Sequence, residues 1–507
     1  MRQNMHEGFR QSQAWLHSWA GLVISWLLYL IFVTGTLSVF RGEIDYWMQP
    51  ELHAIGKVRQ DQKIDTLETV FNSFNTDNQK IAFASISLGA SYQPTISVRK
   101  FVDGKRQHET YDPRTERKIN LSRTVGGNFF YRMHYQLWYL SPWTGRVIVA
   151  LITAMMLVTI ITGIITHKKI LTDFFVFRPY KGLRSWLDGH IISGVIILPF
   201  LVMIAFSGLV ILIGFFMPWG AKAVYGNQQG NLYQQAFNFP NFNESASDIK
   251  QNMPSANHLI EQFHSLYPHK KISAITLYNP SRENTKIVVS AEDENSVNAV
   301  GVVFNSQGDV VSEIGATNTA AAIQESLNSL HRAHYANYAL RWLYFLAGLA
   351  GCFMIASGLI LWSKKRIVKN KKQTTPMQRI VQTLNITCIA GLCVAVPSLL
   401  IINKLIAGKV SQQPAWEVAG FFIVWALTFF YSIIRLSSKA WYEIFFMAAL
   451  MCVGIFIVNL FYPYSNMFYA AMHDDWILAS VDMLAIAFSF IFFFIGYKIR
   501  SSYKKIV

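Results

Sequence analysis

Long runs of apolar residues, separated by more polar segments, dominate the pattern of the chain. Eight of these runs are each roughly 17–27 residues long, which lets an α-helix rising about 1.5 Å per residue cross the apolar layer of a bilayer. The pattern therefore predicts a mainly α membrane protein with about eight transmembrane helices. The predicted spans are residues 19–40, 146–166, 191–216, 342–362, 380–406, 418–434, 441–462 and 476–497.

Two long segments between the early spans have a different pattern. In each, one helical repeat of apolar residues is followed by several short alternating runs that are typical of strands and turns. Because helix, module and helix all recur, the chain contains an internal duplication. The predicted domains are transmembrane helix 1 at 10–44, a first α+β module at 45–141, helices 2 and 3 at 142–216, a second α+β module at 217–341, helix 4 at 342–366, and a four-helix C-terminal bundle at 378–498.

Charge and cysteine content narrow the class of protein. The formal charge of +16 comes largely from Lys and Arg in the short connections on one side of the spans, which predicts that both termini are cytoplasmic. No basic and aromatic module interrupts the spans, so nucleic acid is not an expected partner, whereas the lipid bilayer is. The four cysteines lie inside apolar spans without a C-x-x-C motif, which excludes a disulfide framework, a thiolate zinc site and covalent c-type haem.

Two histidines stand at the start of apolar spans with matching glycines. His17 is followed by Gly21 and later by the pair Thr34-Gly35, and His190 is followed at the same offsets by Gly194 and Ser207-Gly208. In a continuous helix these positions share one face. The repeat predicts a shared flat cofactor, which histidine ligates and for which glycine leaves room.

Two further histidines precede the second and fourth spans. His134 and His334 both lie in an R-x-H-Y sequence, and the spans that follow carry the small pairs Thr162-Gly163 and Ser357-Gly358. The facing argument is weaker here, because Pro142 interrupts one segment and the spacing in the other places the residues on different faces.

In a bundle of four helices with alternating direction, the first and third spans are diagonal, and so are the second and fourth. This arrangement predicts two bis-histidine haem b groups, one held through its iron by His17 and His190 and the other by His134 and His334. His331 is the alternative to His334, and His167 is the alternative at the inner face. Arg132 and Arg332 are candidates for pairing with haem propionates, or equally with lipid phosphates.

The remaining histidines are expected at the surface: His6, His53, His108, His258, His264, His269 and His473. A single histidine at a membrane interface is more often an anchor than a ligand. The haem hypothesis therefore depends on the repeated set of four.

Four motifs carry a resemblance to a known family: W-L-H-x-W-x-G-L opening the first span, T-G-x-L-x-V-F-R-x-E-I-D closing it, S-W-x-x-x-H-x-x-x-G on the third, and S-G-L-I-L-W ending the fourth. Over about residues 10–366 the chain resembles the PepSY-associated transmembrane family, and the two modules resemble PepSY domains. The family's motif histidines correspond to His17, His134, His190 and His334. One departure is that D-L-H in the family is Asp188-Gly189-His190 here.

The resemblance implies a protein of the inner membrane of Gram-negative bacteria, and some family members are haem-containing reductases of periplasmic ferric siderophores. No nucleotide-binding G-x-G-x-x-G follows a strand, so the expected electron donor is quinol or a separate cytoplasmic reductase. We therefore expect an oxidoreductase that passes electrons across the membrane to ferric siderophore. The alternatives are a PepSY-type binding or inhibitory protein without enzymatic activity, and a siderophore or iron transporter that uses the last four helices.

Overall fold

A computed structural model describes most of the chain as two compact units. Unit 1 consists of Met1–Met48, Arg123–Phe216 and Tyr338–Val507, and unit 2 consists of Gln49–Ser122 and Met217–Asn337. The residues described within them are 8–76, 81–90, 92–102, 104–167, 177–179, 181–226, 228, 230–239, 245–292, 300–333, 335–369, 375–435 and 438–504.

The helices are numbered in chain order through both units. Unit 1 contains α1 (Phe9–Ser38), α2 (Arg41–Trp47), α5 (Asn128–Gln136), α6 (Pro142–Thr166), α7 (Leu183–Ile196), α8 (Leu198–Phe216), α13 (Tyr338–Lys369), α14 (Pro376–Asn385), α15 (Gly391–Ile406), α16 (Gln413–Ile434), α17 (Ser438–Asn459), α18 (Met467–Met472) and α19 (Trp476–Lys504). A π-helical turn, Ile386–Ala390, joins α14 to α15. Unit 2 contains α3 (Pro50–His53), α4 (Gln60–Thr76), α9 (Trp219–Tyr225), α10 (Gly230–Phe237), α11 (Ala256–Leu266) and α12 (Thr319–Arg332).

Eight helices of the described chain are long and apolar enough to cross a membrane, and they correspond one to one with the predicted spans. Many of their large apolar side chains face outward, including Ile161 on α6 and Phe206 on α8, which are 57% and 51% exposed. Exposed apolar surface on this scale is unfavourable in water and favourable in lipid. The prediction of a mainly α, multi-pass membrane protein is confirmed.

The first four spans form a ring in unit 1. Helix α1 packs against α6 and α13, α8 packs against α6, and α7 packs against α13. The first and third spans are therefore diagonal across the bundle. The last four spans form a second group, in which α15 contacts α16 and α17, and α17 lies along α19.

The third span is broken into α7 and α8 at Ile197. The cause is Pro199, which lacks a backbone N–H and whose ring conflicts with the carbonyl four residues earlier. The predicted interruption at Pro142 is also present, because α5 ends at Gln136 and Pro142 is the first residue of α6. Proline is favourable at that first position, and the Ser141 side chain accepts a hydrogen bond from the Thr144 N–H.

Unit 2 contains one antiparallel sheet of eight strands in the order β4-β3-β2-β1-β5-β6-β7-β8. The strands are β1 (Ile81–Ser87), β2 (Ile96–Val102), β3 (Lys105–Asp112), β4 (Arg117–Ile119), β5 (Lys271–Tyr278), β6 (Lys286–Glu292), β7 (Val300–Phe304) and β8 (Val310–Ile314). All eight fall within the two predicted α+β modules, residues 45–141 and 217–341.

The two duplicated modules share this sheet. Strand β1 of the first pairs with β5 of the second, with Ile86 opposite Ile275. Their side chains join those of α4 and α11 in one continuous apolar core. Glu68 on α4 also accepts a hydrogen bond at 2.8 Å from the Ala256 N–H, which begins α11. The sequence predicted two modules, and the structure combines them into one compact unit because each alone would leave an unpaired strand edge.

Candidate functional site

His17 of α1 lies against the second span. Its Nδ1 is 2.8 Å from the Thr159 carbonyl oxygen of α6 and 3.5 Å from the Thr162 hydroxyl. A side chain at Gly163 would place its Cβ 3.0 Å from the imidazole, so any other residue here would crowd the ring. Because a carbonyl can only accept, Nδ1 of the neutral ring carries the proton and Nε2 is left with its lone pair.

His190 of α7 has the same surroundings on the fourth span. Its Nδ1 is 2.8 Å from the Met354 carbonyl oxygen of α13 and 3.4 Å from the Ser357 hydroxyl. A Cβ at Gly358 would lie 3.0 Å from the ring. Nε2 is therefore the nitrogen available to a ligand here as well.

The His17 and His190 imidazoles face each other across the bundle, with centroids 6.3 Å apart and planes inclined by 66°. A metal ion binds imidazole nitrogen at about 2 Å, and the ring centroid is about 1.1 Å further away, so two opposed ligands have centroids roughly 6 Å apart. In the described part of the chain no hydrogen bond reaches either Nε2. The pair therefore has the spacing and the tautomer of two axial ligands to one metal ion.

His134 of α5 forms a third contact of this kind, at the other end of α1. Its Nδ1 is 2.8 Å from the Ile31 carbonyl oxygen, and a Cβ at Gly35 would lie 2.7 Å from Nδ1. As at His17 and His190, the bond to a carbonyl oxygen means that Nδ1 of the neutral ring carries the proton. Along α1 the two histidine levels are about 25 Å apart.

All three contacts share one local arrangement, which we call the imidazole cradle. The hydroxyl of a Thr or Ser donates a hydrogen bond to the carbonyl of the residue three positions before it. The histidine of another helix binds this same carbonyl, and the glycine that directly follows the Thr or Ser leaves room for the imidazole ring. The three cradles are Thr34-Gly35 for His134, Thr162-Gly163 for His17 and Ser357-Gly358 for His190. The small pairs therefore accommodate the imidazole of a histidine on another helix. The sequence analysis instead predicted that they leave room for a flat cofactor beside the histidine of their own helix.

The fourth small pair, Ser207-Gly208, belongs to the third span. Ser207 is fully buried, and its hydroxyl donates to the carbonyl of Met203 and lies 3.4 Å from that of Ile204. It has the hydroxyl and carbonyl geometry of the three cradles. His334 lies outside the described residues, so its pairing with His134 and with this cradle stays a prediction.

The other predicted site residues have varied positions. His331 is in the last turn of α12 in unit 2, and Arg332 beside it is exposed. His167 is the residue that ends α6, four positions after Gly163. The Arg132 guanidinium stacks over the Trp138 ring at 4.5 Å. His331 and Arg332 belong to unit 2, whereas His17 and His190 belong to unit 1, and any contact of Arg132 or Arg332 with propionates stays a prediction.

Asp188, two residues before His190, is fully buried. It accepts hydrogen bonds from the backbone N–H of Arg178 and from its guanidinium, and it is 3.3 Å from Nε of Arg184. A buried carboxylate needs such partners, and the ion pair fixes the start of α7. The Asp of the histidine motif therefore positions the helix that carries the ligand, and the sequence did not reveal this role.

Two acidic side chains hold α5, the helix of His134. Asp45 on α2 accepts a hydrogen bond from the Gly127 N–H at 2.8 Å, at the start of α5. This close approach requires glycine at position 126, because a Cβ there would lie 1.8 Å from the Asp45 carboxylate. Burial raises the pKa of Asp45 to about 6, against the opposing effects of Arg41 and the backbone donors.

The second acidic side chain is Glu417 of α16, which is fully buried. It accepts hydrogen bonds from the Thr124 hydroxyl, the Val125 N–H and the side-chain amide of Asn403, with distances between 2.7 and 3.0 Å. These bonds fix the segment that leads into α5. The last four spans, whose role the sequence did not indicate, therefore support the helix that carries His134.

Because the histidines that face each other belong to membrane-spanning helices, the fold and the site define a multi-pass membrane protein with an imidazole pair, His17 and His190, inside its bundle. In the described residues there is no cluster of three or more His, Cys, Asp or Glu side chains suited to a bare metal ion. Two opposed imidazoles suit a cofactor that supplies its own equatorial ligands, and haem is such a cofactor.

The family model described as "PepSY-associated TM region" matches residues 14–365, which is more than half of the 507-residue chain. The chain therefore belongs to the PepSY-associated transmembrane family. No curated protein matches it. The matched region contains the histidines at positions 17, 134, 190 and 334, and the C-terminal group of four spans lies beyond it.

Proposed function

We propose that this protein is a di-haem electron carrier of the bacterial inner membrane that reduces ferric siderophore on the periplasmic side and thereby releases iron. The observation that supports it most strongly is the His17–His190 pair, whose 6.3 Å centroid spacing suits axial ligands. His17 and His190 would hold one haem b, and His134 and His334 the other. Haem supplies one-electron transfer when it is bound.

The chain's own residues prepare these sites. The carbonyl oxygen in each imidazole cradle accepts a hydrogen bond from Nδ1, which keeps the proton on that nitrogen and directs Nε2 away from the supporting helix. This bond fixes the orientation of the ring and favours metal binding through Nε2. Neutral histidines inside a membrane bundle are costly unless they have such partners, and they are usually functional. Two levels about 25 Å apart along α1 would allow electrons to pass from one side of the bilayer toward the other.

The orientation follows from charge. Lys and Arg concentrate in the connections on the His17 side of the spans and near both termini. By the positive-inside rule this side is cytoplasmic, so His134 and unit 2 belong to the periplasmic side. Electrons from a cytoplasmic reductase would enter at the inner pair and leave at the outer pair, and quinol is the alternative electron donor.

The substrate would be held by unit 2, which contains a cavity of about 460 Å³ lined by Asn238, Glu283, Asn284, Lys286 and Asn305 among others. Its amides and ammonium group suit an oxygen-rich chelate. Reduction releases the metal because ferrous iron binds hard oxygen donors more weakly than ferric iron does.

The test is anaerobic. The purified protein is reduced with dithionite, freed of excess reductant, and mixed with a ferric trihydroxamate, while the haem absorption spectrum is followed. The proposal predicts return of the oxidised spectrum with the ferric chelate and no change with the redox-inert gallium(III) chelate. A colourless protein, or reduced haem that the ferric chelate leaves unchanged, would favour the alternative of a binding protein without redox activity.

A further inference from the structure

A long apolar cavity of about 660 Å³ lies in unit 1 between the two groups of spans. Its walls come from α1 and α13 on one side and from α15, α17 and α19 on the other, and they include Tyr29, Val33, Leu349, Cys352, Val396 and Leu484. Along α13 its lining extends from Tyr338 to Cys352, which corresponds to about 21 Å. Dividing the volume by this length gives a mean cross-sectional area of roughly 30 Å², which is about that of one hydrocarbon chain.

Tyr29, which carries a hydroxyl group, lines the inner end of the cavity. The side chain is only 6% exposed, and its hydroxyl has no hydrogen-bond partner among the described residues. A buried hydroxyl without a partner is unfavourable, and it is usually retained where a ligand or water completes it. The cavity therefore offers a hydrogen bond at the end that is deepest in the bundle.

The other end of the cavity is polar and aromatic. Glu43 forms an ion pair with Arg341, with oxygen–nitrogen distances of 2.6 and 2.8 Å, and Arg341 also donates to the Val39 carbonyl. Trp342 and Trp476 line the same end. Tryptophan is typical of the boundary between lipid and water, so this end lies near the membrane surface.

The same stretch of α1 contacts His134 and lines the cavity. Thr34 and Gly35 face the imidazole, whereas Val33, Thr36 and Leu37 on the same turns line the cavity. A ring bound in the cavity would therefore lie about one helix diameter, roughly 10 Å, from the His134 side chain.

We propose that this cavity binds an isoprenoid quinone or quinol of the membrane, with a ring oxygen hydrogen-bonded to Tyr29 and the isoprenoid chain in the apolar channel. A phospholipid would place its head group at the membrane surface and an acyl chain beside Tyr29, which leaves the hydroxyl without a partner. The role of the bound quinol as electron donor rests on the proposed function, whereas the binding itself does not.

The experiment measures bound quinone directly. The full-length protein is purified, extracted with organic solvent and analysed by mass spectrometry for quinone and phospholipid per chain, and the delipidated protein is titrated with decylubiquinone by tryptophan quenching. Val33→Phe fills the channel and should lower quinone content at least tenfold. Tyr29→Phe removes only the hydroxyl and should raise Kd about fivefold to tenfold.

Val23→Phe is the matched control, because Val23 is on the same helix but 64% exposed, and it should bind like the wild type. Haem content and reoxidation by ferric chelate after dithionite reduction should be unchanged in both cavity variants, which separates this proposal from the proposed function. Co-purification of phospholipid alone without decylubiquinone binding would overturn the proposal. Equal quinone binding in wild type, Val33→Phe and Tyr29→Phe would overturn it too.

Discussion

At the scale of single residues, the imidazole cradle is the feature that connects sequence with chemistry. The sequence revealed the histidines and the repeated small pairs, because both are local patterns. It did not reveal which pair serves which histidine, because His17 meets Thr162-Gly163 of another span only after the helices pack. Reading Gly35 as the partner of His17 on the same helix face was reasonable from periodicity, yet Gly35 contacts His134.

Replacement of a cradle glycine should remove one haem. In Gly358→Val the new side chain occupies the space of the His190 ring, which is 3.0 Å from a Cβ at this position, so we expect about half of the wild-type haem per chain. The measurement is haem content by the pyridine haemochrome assay. Gly214→Val is the control, since a Cβ at Gly214 meets nothing within 4 Å. Full haem content in Gly358→Val would show that the cradle does not position a ligand.

At the scale of elements, α5 depends on contacts that are distant in sequence. The sequence located the break at Pro142, a local effect of proline, but not the support of α5 by Asp45 and Glu417, which come from other helices. The C-terminal spans could be recognised as membrane helices from their apolar runs. Their contact with the segment before α5 depends on tertiary packing, which periodicity does not encode.

The Asp45 carboxyl should make stability depend on pH. Its pKa is raised to about 6 by burial, so the folded state binds a proton more readily than the unfolded state does. Stability should therefore fall by up to about 3 kcal/mol as pH rises from 4 to 6. Asp45→Asn keeps a neutral acceptor for the Gly127 N–H and should flatten this dependence. Thermal unfolding midpoints between pH 4 and pH 7 test it, and parallel curves for the two proteins would contradict it.

Loss of the Glu417 acceptor should loosen α5. Glu417→Ala leaves the Val125 N–H and the Gln413 side-chain amide without their acceptor in a buried site, which should cost about 1–3 kcal/mol per unsatisfied group. We expect a lower unfolding temperature together with a preferential loss of the haem proposed for His134. Glu443→Ala is the comparison, because Glu443 on α17 pairs with the surface residues Tyr431 and Arg435 at the other end of that bundle. Equal effects of both substitutions would argue against a specific role of Glu417.

At the scale of the whole molecule, the duplication determines the architecture of unit 2. The sequence predicted the strands and the repeat, since alternation and order are visible in it. It did not predict that β1 and β5 pair, because edge pairing between two similar modules leaves no local pattern. The local motifs that carry the family resemblance were sufficient to predict the membrane bundle, and the family match confirms the resemblance.

The two halves of unit 2 should fold only together. Residues 49–122 alone would expose the edge of β1 and lose half of the shared core, whereas 49–122 joined by a flexible linker to 217–337 would retain both. We expect a cooperative thermal transition by circular dichroism for the joined protein and none for either half. A cooperative transition of the first half alone would show that the modules are independent domains.

The central claim is that histidines of the first four spans hold haem in pairs. Its most direct test is the optical spectrum and haem content of the purified full-length protein, with His17→Ala/His190→Ala as the variant and His269→Ala as a surface control. The account predicts low-spin haem b at about two per chain in the wild type and the control, and about one in the double variant. A protein that contains no haem after haem-replete expression, or a double variant with undiminished haem, would contradict it.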